Sequence, residues 1–546
     1  MIENIRLGSV NSNIKQAPQR DNQRQNPTFK GIGEGLIGLV QMCEKYPMVN
    51  VSVLDLSTAI VPRTIIETKE SNGYAGMEAF RREGSGLVVN CLIPSFIVMG
   101  LAKLIQKPIM KGFGKADLSK VWANEESINV VTRYLSSAEG KGSQKLENAI
   151  TAFMQDLSGV DGNETKAFLS ATAPAHNVTK GIRQIAKSSL LEKPSKLFNK
   201  GYSRIVNSTH MAEHIQLKGH NGFLSKNLEG YLQDFVSLHK AIMKEGITNS
   251  EELAKFTKKS IKLVNWKSIA GLGVIIPLAV SMQPINRWIT RKSSGQKGAP
   301  IYKDFGTDSR HKEMTPKDKK ELLAQKFISI GSMVGVAGLS MFMDRPVLKN
   351  IFQFKGLFPT MDQARIISTA TFASRMAAAE DKNELREATV RDIATFSSFY
   401  FLGDYVAKGI ATILQKTNKG VTLINVLKKP KEGANILQKA WHWAKHTSLK
   451  SSDELFRAKD KRLRTYCQIG NIGFSLLALG VFIPYYTRTK TNKKRAEELA
   501  KLNAEKSNVE IPESLQAKKV DNLDYYSQAA KDKPVFKSFL NSQKEG

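Results

Sequence analysis

The sequence predicts an all-α protein with several transmembrane helices, a helical soluble insertion and disordered termini. Three observations predict it: five long apolar runs nearly free of charge, aromatic residues at run ends, and basic amphipathic stretches leading into three of the runs. The runs cover 86–105, 268–285, 327–343, 393–414 and 466–486. At a rise of about 1.5 Å per residue, each reaches roughly the 30 Å of a hydrocarbon core. A soluble all-helical chain is the rival reading, but its buried helices would be nearer 11 or 12 residues long. The mean hydropathy of −0.29 fits a membrane part diluted by polar loops and tails.

Taken in order, residues 1–31 are polar and rich in Asn, Gln and Arg, and read as a disordered arm without the apolar core of a secretory signal. Residues 32–106 form a membrane-associated region. Its stretch 35–61 is broken by Glu44, Lys45 and Pro47, so the first run is placed at 86–105. Residues 107–247 read as a helical soluble insertion with Gly, Asn and Ser turns. Residues 248–490 hold the other four runs, and 491–546 form a charged tail.

Anchors support the strongest runs. Trp266 and Trp288 bracket the second at a helical separation of roughly 33 Å, which places one indole at each interface. Lys267 and Arg287 lie beside them, where long cationic side chains are expected to snorkel into headgroups. Tyr466, Tyr485 and Tyr486 flank the fifth run in the same way. Helix starts are predicted at Thr248–Glu251, at Thr315–Asp318 with Pro316 in the first turn, at Thr360–Gln363 and at Ser451–Glu454. In the third run, Gly331 and Gly335 have the spacing for close helix packing within the molecule.

The formal net charge is +31. Anionic lipid headgroups are the expected partner. Nucleic acid is not, because the basic residues gather at run ends. Orientation is not encoded simply: with five crossings, Lys and Arg near the run ends divide 21 against 20 between the two sides. Cys43, Cys91 and Cys467 are too scattered for a disulfide framework or a zinc site and read as buried thiols.

Candidate chemistry is sparse. Asp404 and Lys408 lie in the fourth run and, with Asn90 in the first, are the material for a transport path. Their i,i+4 spacing also permits a simple internal ion pair. His210-Met-Ala-Glu213-His214 matches a pattern in which two histidines on one helix face bind zinc and the glutamate activates water. No third ligand follows at the usual distance, so a solvated histidine pair is expected. Trp441, His442, Trp443 and His446 fit an interfacial amphipathic helix. No phosphate loop or dinucleotide fingerprint appears, and no cofactor is expected.

Asn26-Pro-Thr-Phe-Lys-Gly31 resembles a motif near the start of many uncharacterised bacterial proteins, and 282–306 is similar to sequence after a span in uncharacterised multi-pass proteins of this kind. The resemblance implies a bacterial membrane origin and no activity. A non-enzymatic scaffold or membrane-organising role in a bacterial inner membrane is therefore expected. A transporter using Asp404 and Lys408, and a membrane-associated zinc hydrolase using His210, Glu213 and His214, are the alternatives.

Overall fold

The computed structural model describes residues 32–160, 172–192, 194–305, 314–344 and 351–507. The arm 1–31 and the last part of the tail, 508–546, lie outside these residues, as does the end of the 282–306 stretch. The described chain is mostly helical.

After α1 (Ile32–Lys45), α2 spans Pro47–Glu70 and turns back into a bent pair, α3 (Gly73–Leu92) and α4 (Pro94–Ile109), with 47° between them. The insertion follows as α5 (Glu125–Ser137), α6 (Gly142–Gln155), α7 (Thr172–Ser188), α8 (Ser195–Thr209) and α9 (Leu228–Glu245). Then come α10 (Ser250–Ser294), α11 (Pro316–Asp344) and α12 (Met361–Ala378). Next, α13 (Lys382–Ser397) passes through a wide turn into α14 (Gly403–Thr417). Finally α15 (Ile436–His446) precedes α16, a continuous helix over Ala458–Lys501.

Interhelix contacts fix the directions. Asn50 meets Gln468 near the starts of α2 and α16, and Glu67 meets Arg488 further along both, so these two run parallel. Val98 packs on Gly271 and Glu78 bonds Gln283, which makes α3–α4 antiparallel to α10. Lys326 donates to the Ala377 carbonyl, and Arg365 donates to the Tyr400 carbonyl, so α12 runs against both α11 and α13–α14. Among the described residues seven passes thus alternate between two ends of one bundle: α2, α3–α4, α10, α11, α12, α13–α14 and α16. One end carries the insertion. The other gathers the ionic residues described below.

Among the described residues four helices are long and apolar enough to cross a membrane, Pro47–Glu70, Ser250–Ser294, Pro316–Met343 and Ala458–Lys501, or five if the bent pair counts as one span. The expected set therefore shifts. Pro47 starts a helix rather than breaking one, since its missing N–H falls at a first helical position. The 393–414 run belongs to a pass that is mostly covered by its neighbours, and α12 is enclosed in the same way. Wide π turns occur at Asp55–Ile60, Val88–Leu92, Ser398–Leu402 and Leu476–Phe482. Three of them sit just before Pro62, Pro94 or Pro484, whose absent N–H cannot continue the i to i−4 ladder.

Capping follows the sequence unevenly. Thr360 and Gln363 form the expected reciprocal box, and the Thr315 and Asp318 side chains bond each other's backbone. The cap of α10 is Asn249 rather than Thr248, its Oδ1 accepting from the Glu252 N–H at 2.7 Å. The box Ser451–Glu454 closes only a single 3-10 turn, and α16 starts later.

The insertion has its own apolar core, built on Phe153, Tyr231 and Phe235, and it extends onto Phe256, Leu263 and Val264 of α10. The first turns of α10 are thus part of the insertion's core as well as the lead into a span. Within it α7 and α8 pack backbone to backbone: a Cβ on Gly201 would stand 2.6 Å from the Gly181 carbonyl oxygen. By contrast, Gly331 and Gly335 face open space, so the expected packing partner is absent among the described residues. Replacing Gly201 by Ala is predicted to lower stability by about 1–3 kcal/mol through overpacking, read as a fall in Tm of the detergent-purified chain. Gly331→Ala is predicted to leave Tm unchanged. Equal behaviour of the two variants would contradict the packing described.

Candidate functional site

Three surfaces carry the chemistry of this chain: the outer belt of the bundle, its ionic end and a cavity beside the insertion.

On the belt, Trp266 and Trp288 are 53% and 60% exposed, and Tyr466, Tyr485 and Tyr486 are exposed as well. The two cations expected beside the tryptophans are not. Lys267 is buried, its Nζ donating to the Val121 carbonyl at 2.5 Å and lying over the Trp122 ring. Arg287 is buried among Glu78 and Glu384. Both therefore hold the fold together rather than reach headgroups. Helical phase explains this, because residues adjacent in sequence point about 100° apart around a helix.

At the insertion end of the belt lies α15, a helix without a buried residue. Its Asn435 cap and Gln438 form a reciprocal box that starts it. Positions 436, 437, 440, 441 and 444 share one face by the 3.6-residue period, and Lys439 and Lys445 border that face. Ile436 and Leu437 are 86% and 80% exposed. The Lys445 ammonium sits 3.9 Å from the centre of the Phe342 ring, at the last turn of the apolar helix α11. Trp443 points the other way, its Nε1 donating to the Thr412 hydroxyl at 3.1 Å.

Lys408 completes this junction. Its ammonium donates to the carbonyls of Trp443, Ala444 and Thr447 at 3.0–3.2 Å, the unsatisfied acceptors at the end of α15. Asp404, four residues earlier, is exposed. Asn90 is buried inside the bundle, where its amide donates to the Ser368 hydroxyl and its carbonyl accepts from Thr371. The proposed transport trio is thus spread over two regions: Asn90 joins α3 to α12, while Lys408 secures α15.

The ionic end was not read from the sequence. Six arginines, Arg63, Arg82, Arg287, Arg375, Arg391 and Arg488, are buried with six carboxylates, Glu67, Glu78, Glu83, Glu384, Glu387 and Asp392. Glu83 receives Arg63, Arg82 and Arg375, each at 3.1 Å. Asp392 receives Arg391 at 3.0 Å and Arg375 at 3.5 Å. Arg488 bridges Glu387 and Glu67, and Arg287 bridges Glu78 and Glu384. The members come from α2, α3, α10, α12, α13 and α16, while α11 is tied in by Glu321, which accepts from Lys382 at 2.6 Å. Planar guanidinium groups suit such multi-partner bonding better than ammonium does. A cavity of about 20 Å³ lies among these groups, the room of one water. The legible signal was the pairing of opposite charges four apart just outside apolar runs: Arg63 with Glu67, Glu78 with Arg82, Glu387 with Arg391.

The histidine motif folds differently from expectation. His210 and His214 do not share a helix face: α8 ends at Thr209, and both histidines adopt left-handed backbone, with φ of 52° and 45°. Among the described residues no three His, Cys, Asp or Glu side chains are placed to hold a metal. Instead His210 and Glu213 line a cavity of about 190 Å³ with Asn425, Lys450, Glu454 and Phe456. Strand β1 (Leu157–Ser158) pairs with β2 (Gln216–Leu217), and β3 (Ile424–Val426) with β4 (Thr447–Leu449), and these two pairs frame it. The Glu213 N–H donates to Glu454 Oε1 at 3.1 Å. Asn227 donates to Glu213, and Asn425 to Glu454, each at 3.1 Å. Burial pushes the Glu213 carboxyl up to about 7, and raises Glu454 as well. Burial also lowers both histidines.

These features define a mostly helical protein with four helices, among the described residues, long and apolar enough to cross a membrane, and a paired ionic cluster at one end of its bundle. Comparison with protein families, curated proteins and solved structures finds no match.

Removing Glu83 leaves three buried guanidinium groups facing each other. Glu83→Ala is predicted to destabilise the chain by about 3–5 kcal/mol, the usual effect of breaking a buried ion pair from one side, measured by thermal or denaturant unfolding in detergent. A change under about 1 kcal/mol would contradict the burial of this cluster, since exposed pairs contribute no more than that.

Proposed function

We propose that this chain is a multi-pass integral protein of a bacterial cytoplasmic membrane, acting as a non-enzymatic platform that holds its helical insertion against one membrane face. The observation that carries the reading is the bareness of α11: only 17% of its most apolar window is buried, and Phe327, Ile328, Val334, Leu339 and Phe342 are exposed along it. A monomeric soluble protein rarely exposes a continuous apolar strip of this length. Lipid tails cover it without further cost.

Anionic headgroups are the partner we assign to α15 and its surroundings. Its apolar face continues the belt through Phe342, and Lys428, Lys429, Lys431, Lys439 and Lys445 lie within or just before it. Cations near an anionic surface contribute roughly 1 kcal/mol each. The platform reading is favoured over transport because Lys408, the central cation of the transport hypothesis, already caps a helix, and because Asn90 is engaged between Ser368 and Thr371.

Two measurements test the proposal together. The chain is expected to stay in the pellet after alkaline carbonate extraction of native membranes. In single-tryptophan variants reconstituted in anionic vesicles, Trp441 is expected to be quenched by lipids labelled near the headgroup, and Trp443 much less. Release into the carbonate supernatant would overturn membrane integration. Equal quenching of the two indoles would overturn the docking of α15.

A further inference from the structure

The cavity beside the insertion is not used by the platform reading, and it does not depend on bilayer insertion. We propose that it binds a small molecule carrying a primary ammonium group, received between Glu213 and Glu454.

Size sets the first limit. A cavity of 150 Å³ holds benzene, so about 190 Å³ suits a ligand of roughly six to eight non-hydrogen atoms. Polarity sets the second. Two carboxylates, Glu454 buried and Glu213 half-buried, share one wall, and each is held in place by amide donors: Asn227 on Glu213, and Asn425 together with the Ser451 N–H on Glu454. Amides orient a carboxylate without neutralising it. Two carboxylates face one cation on this wall, Lys450, which acts on Glu454, and burial drives the Glu213 carboxyl toward neutrality. An ammonium group supplies a second positive charge and three donors in a compact head.

Two further features narrow the class. Although His210, Glu213 and Glu454 all line the cavity, no three His, Cys, Asp or Glu side chains among the described residues are grouped to hold a metal, which favours an organic cation over a metal ion. The rings of His210 and Phe456 lie against each other on the cavity wall, and an aromatic face favours an organic cation. Lys450 stands on the same wall, so a ligand whose far end is anionic fits better than one with two positive ends. The shared chemistry is the ammonium head. An amino acid and a simple alkylamine are its two sources.

The test uses the full-length chain in detergent, with valine, isobutylamine, isovalerate and calcium chloride as probes, read by titration calorimetry and thermal shift. Valine or isobutylamine is expected to bind, and Glu213→Gln and Glu454→Gln are each expected to weaken binding at least tenfold. Phe456→Ala, at an exposed wall position that leaves the core intact, is expected to weaken it several-fold even if the glutamine variants fold poorly. Tighter binding of valine identifies the amino-acid source, and tighter binding of isobutylamine the alkylamine. Binding of isovalerate as strong as that of valine, binding of calcium alone, binding unaffected by these substitutions, or no binding of either amine at 10 mM would each overturn the proposal.

Discussion

Burying six guanidinium groups and six carboxylates at one end of a helical bundle is costly unless each charge meets its partner, and this requirement governs the rest of the architecture. Members come from six helices, so the cluster closes only when those helices arrive in the right order and direction. Apolar packing alone would tolerate sliding and rotation of one pass against another. Guanidinium groups that each bridge several partners do not. The cluster therefore specifies registry as much as it adds stability, and Asn90, Ser368, Thr371 and Tyr400 extend the same logic into the middle of the bundle.

The outer surface follows an opposite rule. Helices α2, α10, α11 and α16 turn apolar faces outward, and α12 and α13 stay enclosed between them. This division lets polar helices stand within a bundle whose outside suits lipid. The insertion also grips the start of α10: Phe256, Leu263 and Val264 belong to its core, so this core is continuous with the helix. At the same end, Lys408 ties α15 to the bundle, holding a lysine-bordered apolar face beside the exit of α11.

Much of this was legible in the sequence and some was not, for identifiable reasons. Long apolar runs announced α10, α11 and α16, since a span must be apolar where it meets lipid. The enclosed pass α12 was read only as a short connecting helix, because a helix shielded by others can carry Arg365, Ser368, Thr371 and Arg375 without a hydropathy signal. Stretch 35–61 was set aside for its proline, although a proline at a first helical position begins α2. Lys267 and Arg287 were assigned to headgroups from their place in the chain, yet one helical step turns them inward. The histidine motif lies past the end of α8 rather than on a helix face, on the wall of the cavity. Its glutamate faces a second carboxylate, Glu454, from over two hundred residues away, and no local pattern reveals such a pairing.

The central claim is that all seven passes, including the polar ones, run from one membrane face to the other. Cysteines introduced singly at Lys303, Lys382 and Lys431 report it directly, because the native thiols are buried, Lys303 and Lys431 are exposed, and Lys382 is half-exposed. Labelling by an impermeant maleimide in sealed membranes is expected to find 303 and 382 on one side and 431 on the other. Finding 303 and 431 together, as crossing by the runs 86–105, 268–285, 327–343, 393–414 and 466–486 alone would require, or 382 and 431 together, as a bundle without the two enclosed passes would require, contradicts the account.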